Sequence, residues 1–211
     1  IAEWKTFMKV GPEDAMSTSP AGFNKDGTVL YLLDSRDRNT SALFSIDLKT
    51  DEKKLVAENP KADIGEVLVH PTEKTIQAVA FTYDRTEWDI LDPAIKKDLD
   101  YLATVEDGEV IVTSRTLDDK QWTVAFMLDD GPVKFYRYDR GEGKAHFLFN
   151  SRDDLEGYPL VKMHPVLIPT RDGKELVSYL TLPPGSDPDG DGVPNKPVPM
   201  VLNVHGGPWA R

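Results

Sequence analysis

Short apolar, β-branched and aromatic runs, cut by turns rich in Asp, Gly, Asn and Lys, fill most of this chain. "TVLYLLDSR" (Thr28–Arg36) follows the turn residues Asn24–Gly27, and "SALFSIDL" (Ser41–Leu48) and "KKLVAE" (Lys53–Glu58) come next. Strand starts spaced about 8–12 residues apart predict antiparallel β structure rather than βαβ units. The pattern returns in "GEVLVHP" and "TIQAVAFTYD" (Thr75–Asp84). It returns again in Glu109–Thr116, Trp122–Asp129, Val133–Arg140 and Ala145–Ser151. Three such groups, each of roughly 45–60 residues, read as meander blades of a β-propeller. The segments "ALFSIDLKTDEKKLV" and "KFYRYDRGEGKAHFL" echo one another: strand, Asp, polar turn, strand. One stretch breaks the rhythm. "DPAIKKDLDYLATV" (Asp92–Val105) has Pro in its first turn and Ile95, Leu99 and Leu102 at helical spacing.

The pattern changes near Tyr158–Pro165. His164–Gly185 reads as a hairpin with its turn at Arg171-Asp172-Gly173. A Pro/Asp/Gly loop (Pro183–Pro199) leads to "MVLNVHGG" (Met200–Gly207), whose apolar residues at 200, 201, 202 and 204 predict a strand buried on both faces. The expected fold class is mainly β. A partial propeller of about three blades over residues 1–162 is followed by the first strands of an α/β domain over 163–211.

Composition removes several function classes. With 25 Lys and Arg against 36 Asp and Glu, the net charge is −11. That opposes binding to nucleic acid or to an anionic membrane. The absence of cysteine excludes disulfides, thiolate metal sites and a cysteine nucleophile. No apolar run reaches the roughly 20 residues of a membrane-spanning helix. The chain opens on Ile1 rather than Met, so its N-terminus is read as incomplete. The compartment is left open, with a periplasmic or secreted setting slightly favoured over a cytoplasmic one.

Several segments could carry chemistry. A strand ending in His205-Gly206-Gly207-Pro208 lets backbone N–H groups approach a developing oxyanion with no Cβ in the way; the plain alternative is a strand-end turn with a structural histidine. Asp187, Asp189 and Asp191, followed by Gly192, match the first half of a calcium-binding EF-hand loop. Position twelve is Val198 instead of the bidentate Glu, so the segment is read as a solvated acidic loop. No metal and no cofactor are assigned. His70, His146 and His164 are isolated and read as structural, and Trp88 and Trp122 as packing residues. "YDRTEW" (Tyr83–Trp88) puts Arg85 and Glu87 at a blade edge, where a salt bridge is the plain reading of the arginine.

"PVLIPTRDGKELVSYLTLPPG" followed by "PVPMVLNVHGGPWAR" resembles the start of the catalytic domain in the prolyl oligopeptidase family of serine peptidases. Residues His70–Leu102, "SRTLDDKQWTVAF" and "GPVKFYRYDR" are similar to propeller segments of its acylaminoacyl-peptidase-like and dipeptidyl-peptidase-like members. The resemblance implies an α/β-hydrolase domain after the propeller. It implies hydrolysis of short peptides or acyl-peptides by a Ser-His-Asp triad, with the Gly207 backbone N–H as an oxyanion donor and His205 as a structural residue of that loop. It also makes Arg85 and Glu87 candidates for contact with the substrate. In the family the triad follows this loop, with its serine in a Gly-x-Ser-x-Gly elbow, and this sequence contains no such elbow. The chain by itself is therefore expected to be silent. A non-catalytic propeller that binds a peptide or protein, and an esterase-like hydrolase, are the alternative readings. Open blade edges invite pairing between copies. Sedimentation velocity of the 211-residue chain is expected to show a concentration-dependent oligomer, and a clean monomer at high concentration counts against the edge argument.

Overall fold

The computed structural model describes residues 3–204 and Gly206. The chain divides into two compact units, the first ending at Lys96 and the second starting at Lys97. In the first, β1 (Ser19–Phe23), β2 (Val29–Asp34), β3 (Ala42–Asp47) and β4 (Lys53–Ala57) form one antiparallel sheet in chain order. A second sheet holds β5 (Ile64–Val69), β6 (Ile76–Thr82) and β7 (Thr86–Ile90), with β6 central. Helix α1 (Lys96–Leu102) begins at the division between the units. The second unit continues with β8 (Glu109–Arg115), β9 (Gln121–Met127), β10 (Lys134–Asp139) and β11 (Lys144–Asn150), again a four-stranded sheet in chain order. The hairpin β12 (Met163–Pro169) and β13 (Glu175–Thr181) follows. The fold is mainly β, as the periodicity predicts, and its three larger sheets are the three meander groups.

Local chemistry explains the turns. Asn24 Oδ1 accepts the backbone N–H groups of Thr28 (2.8 Å) and Val29 (3.0 Å), folding the chain into β2. Asp47 Oδ1 does the same for Lys49 and Thr50, both at 2.9 Å, between β3 and β4. Asp92 accepts the Ala94 N–H (2.9 Å) ahead of the Pro93–Ile95 3-10 turn that leads into α1. Ile95, Leu99 and Leu102 are all buried, as their spacing predicts.

Burial follows strand position. β2 alternates, with Leu30, Leu32 and Asp34 inward. Central β6 is buried from Gln77 through Phe81. Leu43 and Ala57 of the first sheet pack with Ile64, Val79 and Phe81 of the second, so one apolar cluster joins both sheets of the first unit. Within the second unit, Trp122, Val124 and Phe126 line one face of β9. Trp122 meets Tyr138 edge-on at 5.7 Å, and Tyr101 of α1 stacks on Tyr138 at 5.6 Å.

Charges are buried here too, each with partners. Asp98 of α1 is fully buried and accepts from Tyr138 Oη (2.7 Å) and Arg140 Nη2 (2.8 Å). Asp119 accepts from Arg115 Nε and Nη2 (both 2.6 Å), from Trp122 Nε1 (2.8 Å), and from Arg140 Nη1. Burial, with the Asp98 carboxylate beside it, raises the Tyr138 hydroxyl pKa. In the first unit the buried Asp34 accepts from Arg36 (2.7 and 2.8 Å) and Lys53 (2.7 Å).

Two strands go beyond the sequence reading, and one predicted strand is absent. β1 carries Pro20 and Gly22, with a bulge between them, which hides it from a search for β-branched runs. β7 is a short edge strand whose Glu87 and Asp89 are exposed. Residues 200–204 form no strand, and Met200, Val201, Leu202 and Val204 are 78–91% exposed rather than buried. A strand needs neighbours for its N–H and C=O groups, and no described strand pairs with this segment.

Two predictions follow from the buried charges. Asp98→Ala leaves the buried Tyr138 phenol without its acceptor and the half-buried Arg140 guanidinium with Asp119 alone, and is expected to cost about 1–3 kcal/mol in urea unfolding; no measurable loss overturns that role. The Arg36 hydrogen bond, outweighing burial, holds the Asp34 carboxyl well below the usual carboxylate range, with Lys53 assisting. Its stabilisation is complete above the unfolded value, about pH 3.9, and is lost as pH falls through the lower folded value. Asp34→Asn is therefore expected to flatten the acid limb of the stability–pH curve.

Candidate functional site

Of the predicted oxyanion loop, His205, Gly207 and Pro208 lie outside the described residues, and Gly206 sits in an exposed bend. The other candidates are placed. Arg85 is exposed in the bend between β6 and β7, where its N–H donates to Asp84 Oδ1 (3.0 Å). Glu87 is exposed on β7 opposite Phe81. β7 is an outer strand of its sheet, which puts Glu87 on an edge strand and Arg85 in the bend that leads into it.

The acidic loop is more ordered than a solvated loop requires. Asp187 accepts the backbone N–H groups of Gly190 (2.9 Å), Asp191 (3.1 Å) and Gly192 (2.9 Å). Its side chain is only 6% exposed, while Asp189 and Asp191 remain exposed. Gly190 and Gly192 adopt φ of 72° and 79°, which the wrap around Asp187 requires. Burial pushes the Asp187 carboxyl up, but these N–H donors outweigh it and the net shift is downward. Carboxylate oxygens of Asp187, Asp189 and Asp191 lie within 4.8 Å of one another, near enough to share a cation. Asp187, however, already serves as the acceptor that closes the loop.

The histidines have local structural partners. His70 Nδ1 accepts from Thr72 N (3.3 Å) and Glu73 N (3.1 Å), tightening the β5–β6 turn. His146 Nε2 lies 2.8 Å from Glu142. His164 Nε2 is 3.8 Å from Asp187 Oδ2, where the acidic loop crosses β12.

Sequence reasoning missed a polar cluster in the second unit. Glu106 accepts from Lys134 Nζ (2.9 Å) and from Tyr136 Oη (2.5 Å). Burial, then Glu106, pushes the Tyr136 hydroxyl up to about 12. Burial opposes ionisation of Glu106 as well, but Lys134 and Tyr136 outweigh it and hold the carboxyl below its usual value. Beside this cluster opens a cleft of about 290 Å³, lined by Leu128, Asp130, Pro132, Lys134, Asn150 and Tyr158 among others. It offers carboxylates, an amide and an aromatic face but no hydroxyl or thiol nucleophile other than the Tyr158 phenol. No spacing rule pairs Glu106 with residues about thirty positions downstream; only the β8–β10 sheet brings them together.

No protein-family model matches the chain. Over 208 residues, 99% of its length, the chain is 50% identical to dipeptidyl aminopeptidase BIII of Pseudoxanthomonas mexicana. It is 30% identical over 225 residues, again 99% of the chain, to dipeptidyl peptidase family member 6 of Caenorhabditis elegans. It spans 30% of the length of each of these relatives. Among solved structures, prolyl oligopeptidase B of Galerina marginata, bound to a 35mer hydrolysis and macrocyclization substrate, shares the fold with a TM-score of 0.50 and 14% identity. That match covers 77% of this chain and 23% of that one. The meanders match part of a propeller in an enzyme of this kind, and the alignment with each of the two curated relatives spans 99% of the chain. The curated relatives of the chain are dipeptidyl aminopeptidase and dipeptidyl peptidase family members, and its fold is that of part of a prolyl oligopeptidase-like enzyme.

Proposed function

We propose that the chain is a segment of a serine peptidase that hydrolyses short peptides or acyl-peptides. The single observation that carries this reading is the 50% identity, over 99% of the chain, with a dipeptidyl aminopeptidase. Residues 1–162 are assigned to the propeller and 163–211 to the start of the α/β-hydrolase domain. In the intact protein a serine, activated by histidine and oriented by aspartate, attacks the scissile carbonyl. The Gly207 N–H stabilises the oxyanion, with glycine leaving room for close approach. His205, Gly206 and Pro208 shape that loop. Arg85 and Glu87, at an exposed blade edge, are candidate substrate contacts. The reaction needs no metal or cofactor.

The nucleophile is assigned outside these 211 residues, because the sequence has no Gly-x-Ser-x-Gly elbow. A fluorophosphonate serine-hydrolase probe, read by intact mass, tests this. The 23.6 kDa chain is expected to gain no adduct, and the full-length protein is expected to gain one. The unlabelled full-length protein should release dipeptides from peptide amides, and the probe should abolish that activity. A full-length protein that takes no adduct returns the chain to a non-catalytic binding propeller. Ester cleavage with no measurable cleavage of peptide amides points to an esterase-like hydrolase. An adduct on the 23.6 kDa chain overturns the placement of the nucleophile.

A further inference from the structure

The hairpin β12–β13 is attached to its unit in an unusual way. Val166, Leu167, Ile168, Leu176 and Tyr179 are all exposed, and adjacent residues on a strand point to opposite faces. The two strands pair with each other and with no other described strand. Leu182, just after β13, is buried at the hairpin's base, but the strands beyond it carry little apolar packing to set the direction in which the hairpin leaves the sheet.

Polar contacts gather at its base instead. Lys162, the residue before β12, places Nζ 2.6 Å from Asp107, 3.2 Å from Asp130 and 3.9 Å from Asp129. The Met163 N–H, at the first residue of β12, donates to Asp129 Oδ2 at 2.9 Å. Asp107 belongs to the loop between α1 and β8, and Asp129 and Asp130 to the loop between β9 and β10. One ammonium thus ties three separate segments together at a point where three carboxylates would otherwise repel. A lone exposed pair contributes little, but a shared cation also relieves the repulsion among its partners.

We propose that Lys162 is an ionic clasp that fixes the base of the β12–β13 hairpin to the four-stranded sheet, and that opening it frees the hairpin to change direction. The device is electrostatic, so salt weakens it: the screening length falls from about 30 Å at 0.01 M to about 3 Å at 1 M.

Hydrogen exchange of the 211-residue chain, read by mass spectrometry at low and at 1 M NaCl, tests the clasp. Lys162→Met is expected to raise exchange at Met163 and His164 roughly five-fold at low salt, and Lys162→Arg to stay near the wild type. High salt should speed exchange in the wild type towards that of Lys162→Met and, by screening the repulsion among the three aspartates, not speed it in that variant, while β9 and β10 stay protected throughout. Unchanged exchange in Lys162→Met, or equal salt sensitivity in the variant and the wild type, overturns the proposal. If Lys162→Met loses protection in β9 and β10 as well, Asp107→Asn, which keeps the lysine, decides. Faster exchange confined to the base of the hairpin supports the clasp, and wild-type exchange rejects it.

Discussion

Arg140 reaches two carboxylates from two different parts of the second unit. Asp98 comes from α1 and Asp119 from the turn between β8 and β9, and both are buried. An unpaired carboxylate in such a place costs several kcal/mol; Arg140 is the cation that Asp98 pairs with, while Asp119 pairs with Arg115 as well as Arg140. Trp122 lies between the cations, with Arg115 4.5 Å and Arg140 5.1 Å from its ring centroid. Tyr138 completes the arrangement by donating to Asp98 and stacking on Tyr101. The helix is only seven residues long and is not stable alone. Its docking on the sheet is what makes it a helix, and that docking is as much ionic as apolar.

The two units solve the problem of core formation differently. In the first, two sheets share an apolar cluster built on Leu43, Val79 and Phe81. The second fills its centre with Trp122, Phe126 and Tyr138 and neutralises buried charge around them. Both leave large apolar surfaces uncovered. Phe147, Leu148 and Phe149 of the outer strand β11 are exposed, as are the hairpin and residues 200–204. The chain spans 30% of the length of its curated relatives.

Much of the fold was legible in the chain. Period-two runs located eleven of the thirteen strands among the described residues, because alternation reflects one buried and one wetter face. Asp92-Pro93 and the spacing of Ile95, Leu99 and Leu102 located the helix. β1 escaped because Pro20 and Gly22 lack strand-forming side chains, and β7 because its charged residues alternate along a short edge. The apolar run at 200–204 misled: hydrophobicity reports a demand for burial, not the presence of a partner. Of the candidate site, the sequence motif stood out while its terminal geometry lies outside the described residues, and Arg85 and Glu87 stand where their turn context put them.

By itself the amino-acid sequence determined the meander order, the turn positions, the kinship with peptidases and the lack of a cysteine or serine-elbow nucleophile. These depend on residue type and short spacing, which the linear chain carries in full. Only the tertiary structure decided that Asp98 pairs with Arg140, that Glu106 holds Lys134 and Tyr136, and that Lys162 faces three aspartates. Those partners are some thirty to fifty-five residues apart, and charge attraction is too unspecific to choose among many acids and bases. Strand pairing and the burial it enforces bring one set of them together and leave the rest to water.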